Sequence, residues 1–593
     1  MGLLGARGLN RQVEGISLRL ATLKALFSQA SMPMPADLEV LKDHFLVLDQ
    51  HLASSPGFSF NGRILVLFLV FTGKYPEQFA LAKWATHLIG DGMPATLTSF
   101  LSSLDYRAEL KSSVFIQLKP TSRDTLYVDV SNTVDHPHNG GIQRVVRQLS
   151  LSLREQAKNV AFYRIDSISG QPRLLYESEL ERLVNFKGFD KMVKSDVALF
   201  WSSSLTWAIQ DLFLKTPFRI LRYAYEDFKY LLKAYYGRWR EDYLMPWSKY
   251  FHWALMTLRW VDKNKKEVRI FIKNSKDRRK KKKLTRNNEE VLLFFNASLL
   301  LPELTGDLAR VELYLNLKES MPNRFTIIVY DLIPLIMPEF CVVGDAFLNF
   351  TRLFRIADRI SCISESVKRD VENFSKIVPR ENFSIPKISS NLLAGDFKID
   401  AARVAEKIEP ARIPQILCVG TFEPRKNQIS LLRAGYVLFK KGLKFKVVFA
   451  GNHGWLSENF FSELEELDPQ REFVEIMHSI TDSQLNALYH ACKFTVFISH
   501  AEGFGLPILE SIQRGKPVVV SNRGSMLEIA NLVGGCLMVN PQSPIEIASA
   551  IEKFLTDETF YREKLGEIKK RDTLTWCHYA EIVYALAMSG SSA

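Results

Sequence analysis

The feature that most constrains this chain is a regular alternation of short apolar runs with helical stretches between Ile413 and Thr556. Strands are expected at Ile413–Gly420, Phe445–Gly451, Phe494–Ser499 and Pro517–Ser521. Helices are expected at Gln428–Lys441, Ser483–Ala491, Leu506–Arg514 and Ile545–Thr556. Regular β/α alternation with short connections predicts a doubly wound parallel sheet. Ligands of such sheets bind beyond the carboxyl ends of the strands. The loops there are Gly420–Asn427 (GTFEPRKN), Gly451–Trp455, Ser499–Pro507 (SHAEGFGLP) and Ser521–Ser525, and all four are expected around one crevice.

Those loops contain what a diphosphate needs. Arg425 offers a bidentate guanidinium fork and Lys426 a point charge. Gly503, Phe504, Gly505 and the opening of the helix at Leu506 can present backbone N–H groups, and glycine lets the backbone approach a ligand closely. Glu502 falls on the loop before that helix, placed to face a sugar, and Glu510 about one turn into it, placed to accept hydrogen bonds from ribose hydroxyls. His453, His478 and His500 read first as polar loop or core-edge residues, with ligand contact as the alternative for His500. Glu528 is expected in the first turn of a helix capped by Ser525, with donor binding as the alternative. Asp331, at a strand end, reads equally as a capping residue or an acceptor contact.

At 593 residues the chain is too long for one core. Residues 1–120 read as a helical accessory domain, since apolar residues recur there at three- and four-residue spacing. Within it, Gly73–Glu77 and Leu81–Trp84 resemble a small helical repeat domain fused to bacterial surface-carbohydrate enzymes. Residues 121–395 begin with a strand at Thr125–Ser131, then Gly140-Gly141, then a helix from Ile142. Strand, glycine loop and helix open a βαβ unit whose helix N-terminus can hold an anion. Further strands are expected at Val197–Trp201, Val291–Phe295, Thr326–Tyr330 and Arg359–Ile363. A polar stretch to Pro410 reads as a linker, and residues 396–593 form the second sheet domain with a C-terminal helix.

The formal charge of +12 is concentrated in an insertion at about 205–290, where Lys276–Lys283 reads KDRRKKKK and Phe218–Lys249 interleaves basic with aromatic residues. Residues 211–286 could meet an anionic membrane surface or an assembly partner, or form a solvated loop beside a packed helix. Nucleic acid is not expected, because no binding module accompanies the charge. The six cysteines are scattered without a CxxC pair, which fits a reducing cytoplasm. The N-terminus lacks the pattern of a signal peptide, and the longest apolar run, Ile64–Phe71, is too short to span a bilayer. The expected location is cytoplasmic, or peripheral at the inner face of the cytoplasmic membrane.

Ile416–Ile529 closely resembles the retaining glycosyltransferases of family 4, which have the GT-B fold. The motif EGFGLPILE, with Glu502 and Glu510 separated by seven residues, carries the resemblance. The GTFEPRKN loop resembles the donor phosphate loop of bacterial mannosyltransferases that build O-antigen and related polysaccharides. NGGIQRVVRQL from Asn139 and Tyr330–Pro334 resemble segments of the same enzymes. The resemblance implies an α/β architecture of two Rossmann-like domains facing a cleft. It implies transfer of a hexose, mannose from GDP-mannose foremost, with retention, to a glycan or polyprenyl-lipid-linked acceptor. Arg425 and Lys426 would stabilise the leaving diphosphate, Glu510 would bind the ribose, and Glu502 would contact the transferred sugar. Gly503, Phe504, Gly505 and Leu506 would line the donor pocket, with Thr421, Gly140 and Gly141 as further donor contacts. No metal is implied. Two departures stand out: Thr421 where many relatives have arginine, and Tyr330 where many have a histidine near the sugar. A sugar-nucleotide epimerase or a phosphorylase on the same fold, and a non-catalytic glycan-assembly scaffold, are the alternative functions.

Overall fold

A computed structural model describes residues 16, 19–20, 47–50, 52–53, 59–76, 116–136, 140–156, 158–166, 169–186, 289–341, 344–377, 386–395, 413–568 and 575–589. Apart from Glu289 these belong to one compact unit, Met1–Gly188 with Glu290–Ala593. The expected strand at Val197–Trp201, nearly all of the basic insertion, most of the accessory segment and the linker from 396 to 412 lie outside the described residues.

Helix α1 (Phe60–Thr72) is capped by Ser59, whose hydroxyl accepts the Gly62 amide at 3.0 Å. It ends at Gly73, in the left-handed region at φ 72°. A helix apolar on every side must be covered on every side, and Ile64–Val70 are all buried. They share one core with the first sheet. The buried Arg19 ties this segment down, donating to Val70 O at 2.6 Å and Ile116 O at 3.1 Å.

Strands β1 (Ile116–Pro120) and β5 (Glu289–Leu293) pair as a two-stranded ribbon. The first large sheet contains β2 (Leu126–Asp129), β3 (Val160–Ile165), β4 (Pro172–Leu174), β6 (Ser298–Leu301), β7 (Arg324–Val329), β8 (Arg359–Cys362) and β9 (Lys387–Ser390). Its order is β4-β3-β2-β6-β7-β8-β9, and every pair is parallel except β3–β4. The helices used below are α2 (Gly141–Glu155), α3 (Leu308–Ser320) and α4 (Glu365–Ser375).

The second sheet contains β10 (Gln415–Val419), β11 (Lys446–Ala450), β12 (Val474–Met477), β13 (Phe494–Phe497), β14 (Val518–Ser521) and β15 (Cys536–Val539). It is all parallel, in the order β12-β11-β10-β13-β14-β15. Helices α5 (Gln428–Lys440), α6 (Asp482–Ala491), α7 (Leu506–Gln513), α8 (Gly524–Val533) and α9 (Pro544–Thr556) connect or flank its strands. The two Rossmann-like domains meet across a cleft, the GT-B arrangement expected from sequence. In each sheet the chain winds outward and then returns beside its starting strand, so the switch points fall between β2 and β6 and between β10 and β13. Crevices open at such points.

The boundary drawn at 396–593 groups the closing helix with the second sheet. Helix α10 (Trp576–Met588) instead packs on α2 and the first sheet, burying Trp576, Tyr579, Ala580 and Val583. No described helix is long and apolar enough to cross a membrane.

Candidate active site

The loop after β10 is shaped by Asn427, in the left-handed region at φ 58°. Its buried amide donates to Ile498 O at 3.2 Å and Pro541 O at 2.7 Å, and its carbonyl accepts from Ser430 Oγ at 2.7 Å. That anchor folds Pro424–Lys426 into one tight turn and leaves both cations on the cleft side of the switch point. The loop after β13 runs beside it: the His500 amide donates to Arg425 O, and Arg425 Nη1 donates to Ala501 O, both at 2.8 Å.

The charges converge on Glu502. Its Oε1 lies 2.6 Å from Lys426 Nζ and its Oε2 2.7 Å from Arg425 Nη1. Arg425 also pairs with Glu423 at 2.5 Å. Burial alone would raise the Glu502 carboxyl, but Lys426 and then Arg425 outweigh it and hold it down at about 2. Burial pushes Glu423 up, with Arg425 and Lys426 offsetting only part of the rise. Asp331, from the opposite domain, is also pushed up by desolvation, against the pull of Arg425.

Next to this cluster the chain turns into α7. A Cβ on Gly503 would lie 1.9 Å from Tyr330 O of the facing domain, and Gly505 has φ +125°. Both positions therefore require glycine. Among the described residues, no acceptor faces the N–H groups of Gly503, Phe504, Gly505 or Leu506. Four donors at a helix start, with two cations beside them, form an anion cradle.

Glu510, on the second turn of α7, is only 2 % exposed. Its Oε2 accepts the Tyr489 hydroxyl at 2.8 Å. Its Oε1 lies 2.6 Å from Arg144 Nη1, on the first turn of α2 in the other domain. That ion pair brings the start of α2, with its Gly140–Gly141 turn, up to α7. Gly140 is the cap of α2. A Cβ on Gly140 would meet Gln143 Oε1 at 2.7 Å, whereas one on Gly141 would meet nothing within 4 Å.

Residues 403–572 match the family described as glycosyl transferases group 1. This chain carries a group 1 glycosyltransferase domain. Over 271 residues it is 26% identical to the serotype-specific mannosyltransferase WbdA of Escherichia coli, covering 43% of this chain and 32% of that protein. Over 158 residues it is 32% identical to the O-antigen chain mannosyltransferase B of Escherichia coli, covering 26% of this chain and 41% of the relative. The chain thus spans less than half the length of either relative. Among solved structures, a sucrose-phosphate synthase from Thermosynechococcus elongatus aligns over 78% of this chain and 96% of its own, at 14% identity and a TM-score of 0.44.

Within the glycosyltransferase domain, the structure brings Arg425, Lys426, Glu502, Gly503, Phe504, Gly505 and Leu506 together. Thr421 is exposed at the crevice edge, and its carbonyl accepts from Gln428 at 2.8 Å. The expectation for Ser525 is corrected. Arg523 is the cap residue of α8, and the Ser525 hydroxyl donates to Glu502 O at 2.7 Å. Glu528 crosses to the other domain, where it accepts the Glu365 amide at the start of α4 at 2.9 Å. The Tyr330 hydroxyl is buried and donates to Pro302 O at 2.7 Å, so Asp331 is the cleft-side group of that segment. His500 stacks on Phe340 at 4.9 Å, and His453 stacks on His478 at 4.6 Å.

Sequence reasoning gave no role to Arg144, Glu423, Tyr489 or Ser364. Arg144 lay inside the quoted glycine-loop motif, three residues after Gly141, and that position was its only signal. Glu423 likewise lies inside the quoted GTFEPRKN loop, whereas Tyr489 and Ser364 lie outside every quoted motif.

Proposed function

We propose that the protein is a glycosyltransferase that moves mannose from GDP-mannose to a lipid-linked or growing surface polysaccharide, with retention. The observation that carries this reading is the convergence of Arg425 and Lys426 with the amides of Gly503–Leu506, which have no acceptor among the described residues, at the β10/β13 switch point. A diphosphate is the ligand that uses both halves. The names of the mannosyltransferase relatives favour mannose.

The reaction follows from charge. The bond from the sugar C1 to the β-phosphate oxygen breaks, leaving negative charge on the diphosphate and positive character on the sugar. The acceptor hydroxyl oxygen bonds to C1 on the face the phosphate leaves, and its proton passes to the departing phosphate oxygen. GDP and the extended glycan are the products. Arg425, Lys426 and the turn amides are already fixed where the new charge appears, so they stabilise it without reorganising. Without donor, Glu502 neutralises the two cations; with donor, the diphosphate competes for them and frees the carboxylate to meet the sugar. Glu510, held by Arg144 and Tyr489, retains lone pairs for the ribose hydroxyls.

The test is GDP release from GDP-mannose, with and without an α-mannose-terminated oligosaccharide. Release that depends on the oligosaccharide and disappears in Lys426→Ala supports the reading. Binding of GDP-mannose without any transfer would favour the scaffold alternative.

A further inference from the structure

The carbonyls of Glu502 and Gly503 are consecutive in the donor turn, and each accepts a hydrogen bond from a buried serine. Ser525 Oγ, on α8 of the same domain, donates to Glu502 O at 2.7 Å. Ser364 Oγ, from the opposite domain, donates to Gly503 O at 2.9 Å. Both serines are 0% exposed. Ser364 also caps α4, accepting the Val367 amide at 3.1 Å, so its oxygen is held and its proton committed to Gly503.

A peptide unit is planar and trans, so its C=O and the N–H that follows point in opposite directions. Fixing Glu502 O therefore fixes the N–H of Gly503, and fixing Gly503 O fixes the N–H of Phe504. Neither N–H has an acceptor among the described residues. Glycine is the residue whose backbone rotates most freely, and contact with Tyr330 O denies this position any side chain that could restrain it. The two serine bonds are the restraint that remains.

We propose that Ser525 and Ser364 are positioning residues that aim the Gly503 and Phe504 amides of the donor turn. Because Ser364 belongs to the other domain, the Phe504 amide is aimed only while the two domains are together. Domain closure thereby completes the anion cradle. This inference rests on the turn being the diphosphate-sugar site.

The experiment compares the full chain with Ser364→Ala, Ser364→Thr and Ser525→Ala, measuring kcat and KM for GDP-mannose with an α-mannose-terminated acceptor, and thermal melting. Ser364→Ala and Ser525→Ala are each expected to lose about ten- to a hundredfold in kcat, somewhat less than removing a donor outright. Donor KM is expected to stay within threefold. Ser364→Thr keeps the hydroxyl and is expected within threefold of the parent. A role confined to capping α4 predicts a lower melting temperature for Ser364→Ala with unchanged kcat, and that result overturns the proposal. So does parental kcat in both alanine variants. Should Ser364→Ala not fold, Ser525→Ala decides the matter. A parent chain that releases no GDP overturns the reading of the site itself, an outcome distinct from an active parent with indifferent serines.

Discussion

Both sheets carry a cluster of carboxylates and cations at their switch points, and the two clusters are put to opposite uses. In the first domain Asp129 ends β2 and Glu303 follows β6. Arg310 reaches both, 2.5 Å from Asp129 and 3.3 Å from Glu303. Tyr314 and Ser131 donate to Asp129 at 2.5 Å, and Glu303 accepts the amides of Asn132 and Thr133. Burial would raise the Asp129 carboxyl, but Arg310 and the hydroxyls hold it down. Burial, and Asp129 itself, push Glu303 up. Exposure is 6 % for Arg310, 0 % for Asp129 and 2 % for Glu303. In the second domain Arg425 and Lys426 are 15% and 16% exposed, and the amides beside them have no acceptor among the described residues. A switch point alone therefore does not make a ligand site. In the first domain both carboxylates of the cluster are turned inward and fix the short helix that opens at Ser131. In the second, donors are left over.

The sharpest way to break this contrast is to remove one cation from each cluster. Arg310→Ala leaves two carboxylates buried without their cation and is expected to cost about 3–5 kcal/mol of stability, read by denaturant unfolding. Lys426→Ala leaves Glu502 with Arg425 as its remaining cation and is expected to cost less stability than Arg310→Ala, about 1–3 kcal/mol, while kcat/KM for GDP-mannose falls about 100- to 1000-fold, read by initial rates. An exchange of those two outcomes would show the roles assigned to be reversed.

Acid sharpens the comparison next. Glu502 is held at about 2 in the folded chain, below its usual 4.5. A depressed carboxyl stabilises the fold above its unfolded value, and that contribution is lost as pH falls through the folded one. The stability difference between the parent and Glu502→Gln should be constant above pH about 5. It should shrink by up to about 3 kcal/mol between pH about 4.5 and 2, followed by chemical denaturation at each pH. The smallest effect is expected at the pair joining the domains. Arg144→Gln removes one of two partners of the buried Glu510 and should raise donor KM about tenfold, the cost of a charged hydrogen bond at about 1.4 kcal/mol.

The sequence made the second sheet legible because central parallel strands, buried on both faces, read as unbroken apolar runs such as ILCV, VVFA and VVV. Its edge strands β12 and β15 passed unnoticed. They are four residues long, with Glu475 and Met538 facing solvent. The strand expected at Val291–Phe295 corresponds to β5, which ends at Leu293 and joins the ribbon, whereas β6, beyond Asn296 at φ 52° and at the sheet centre, is not among the expected strands. The Gly420–Asn427 loop was readable because Arg425 and Lys426 lie beside their own anchor, Asn427. Arg144–Glu510 and Ser364–Gly503 join residues 366 and 139 positions apart. No periodicity encodes which turns of two domains will face each other.

The most direct test of the central claim is calorimetric titration of GDP into the parent, Glu502→Gln and Lys426→Ala. If the two cations and the glycine turn cradle a diphosphate for which Glu502 stands in, Glu502→Gln binds GDP at least as tightly as the parent and Lys426→Ala about a hundredfold more weakly. Equal affinity in all three proteins would contradict the account.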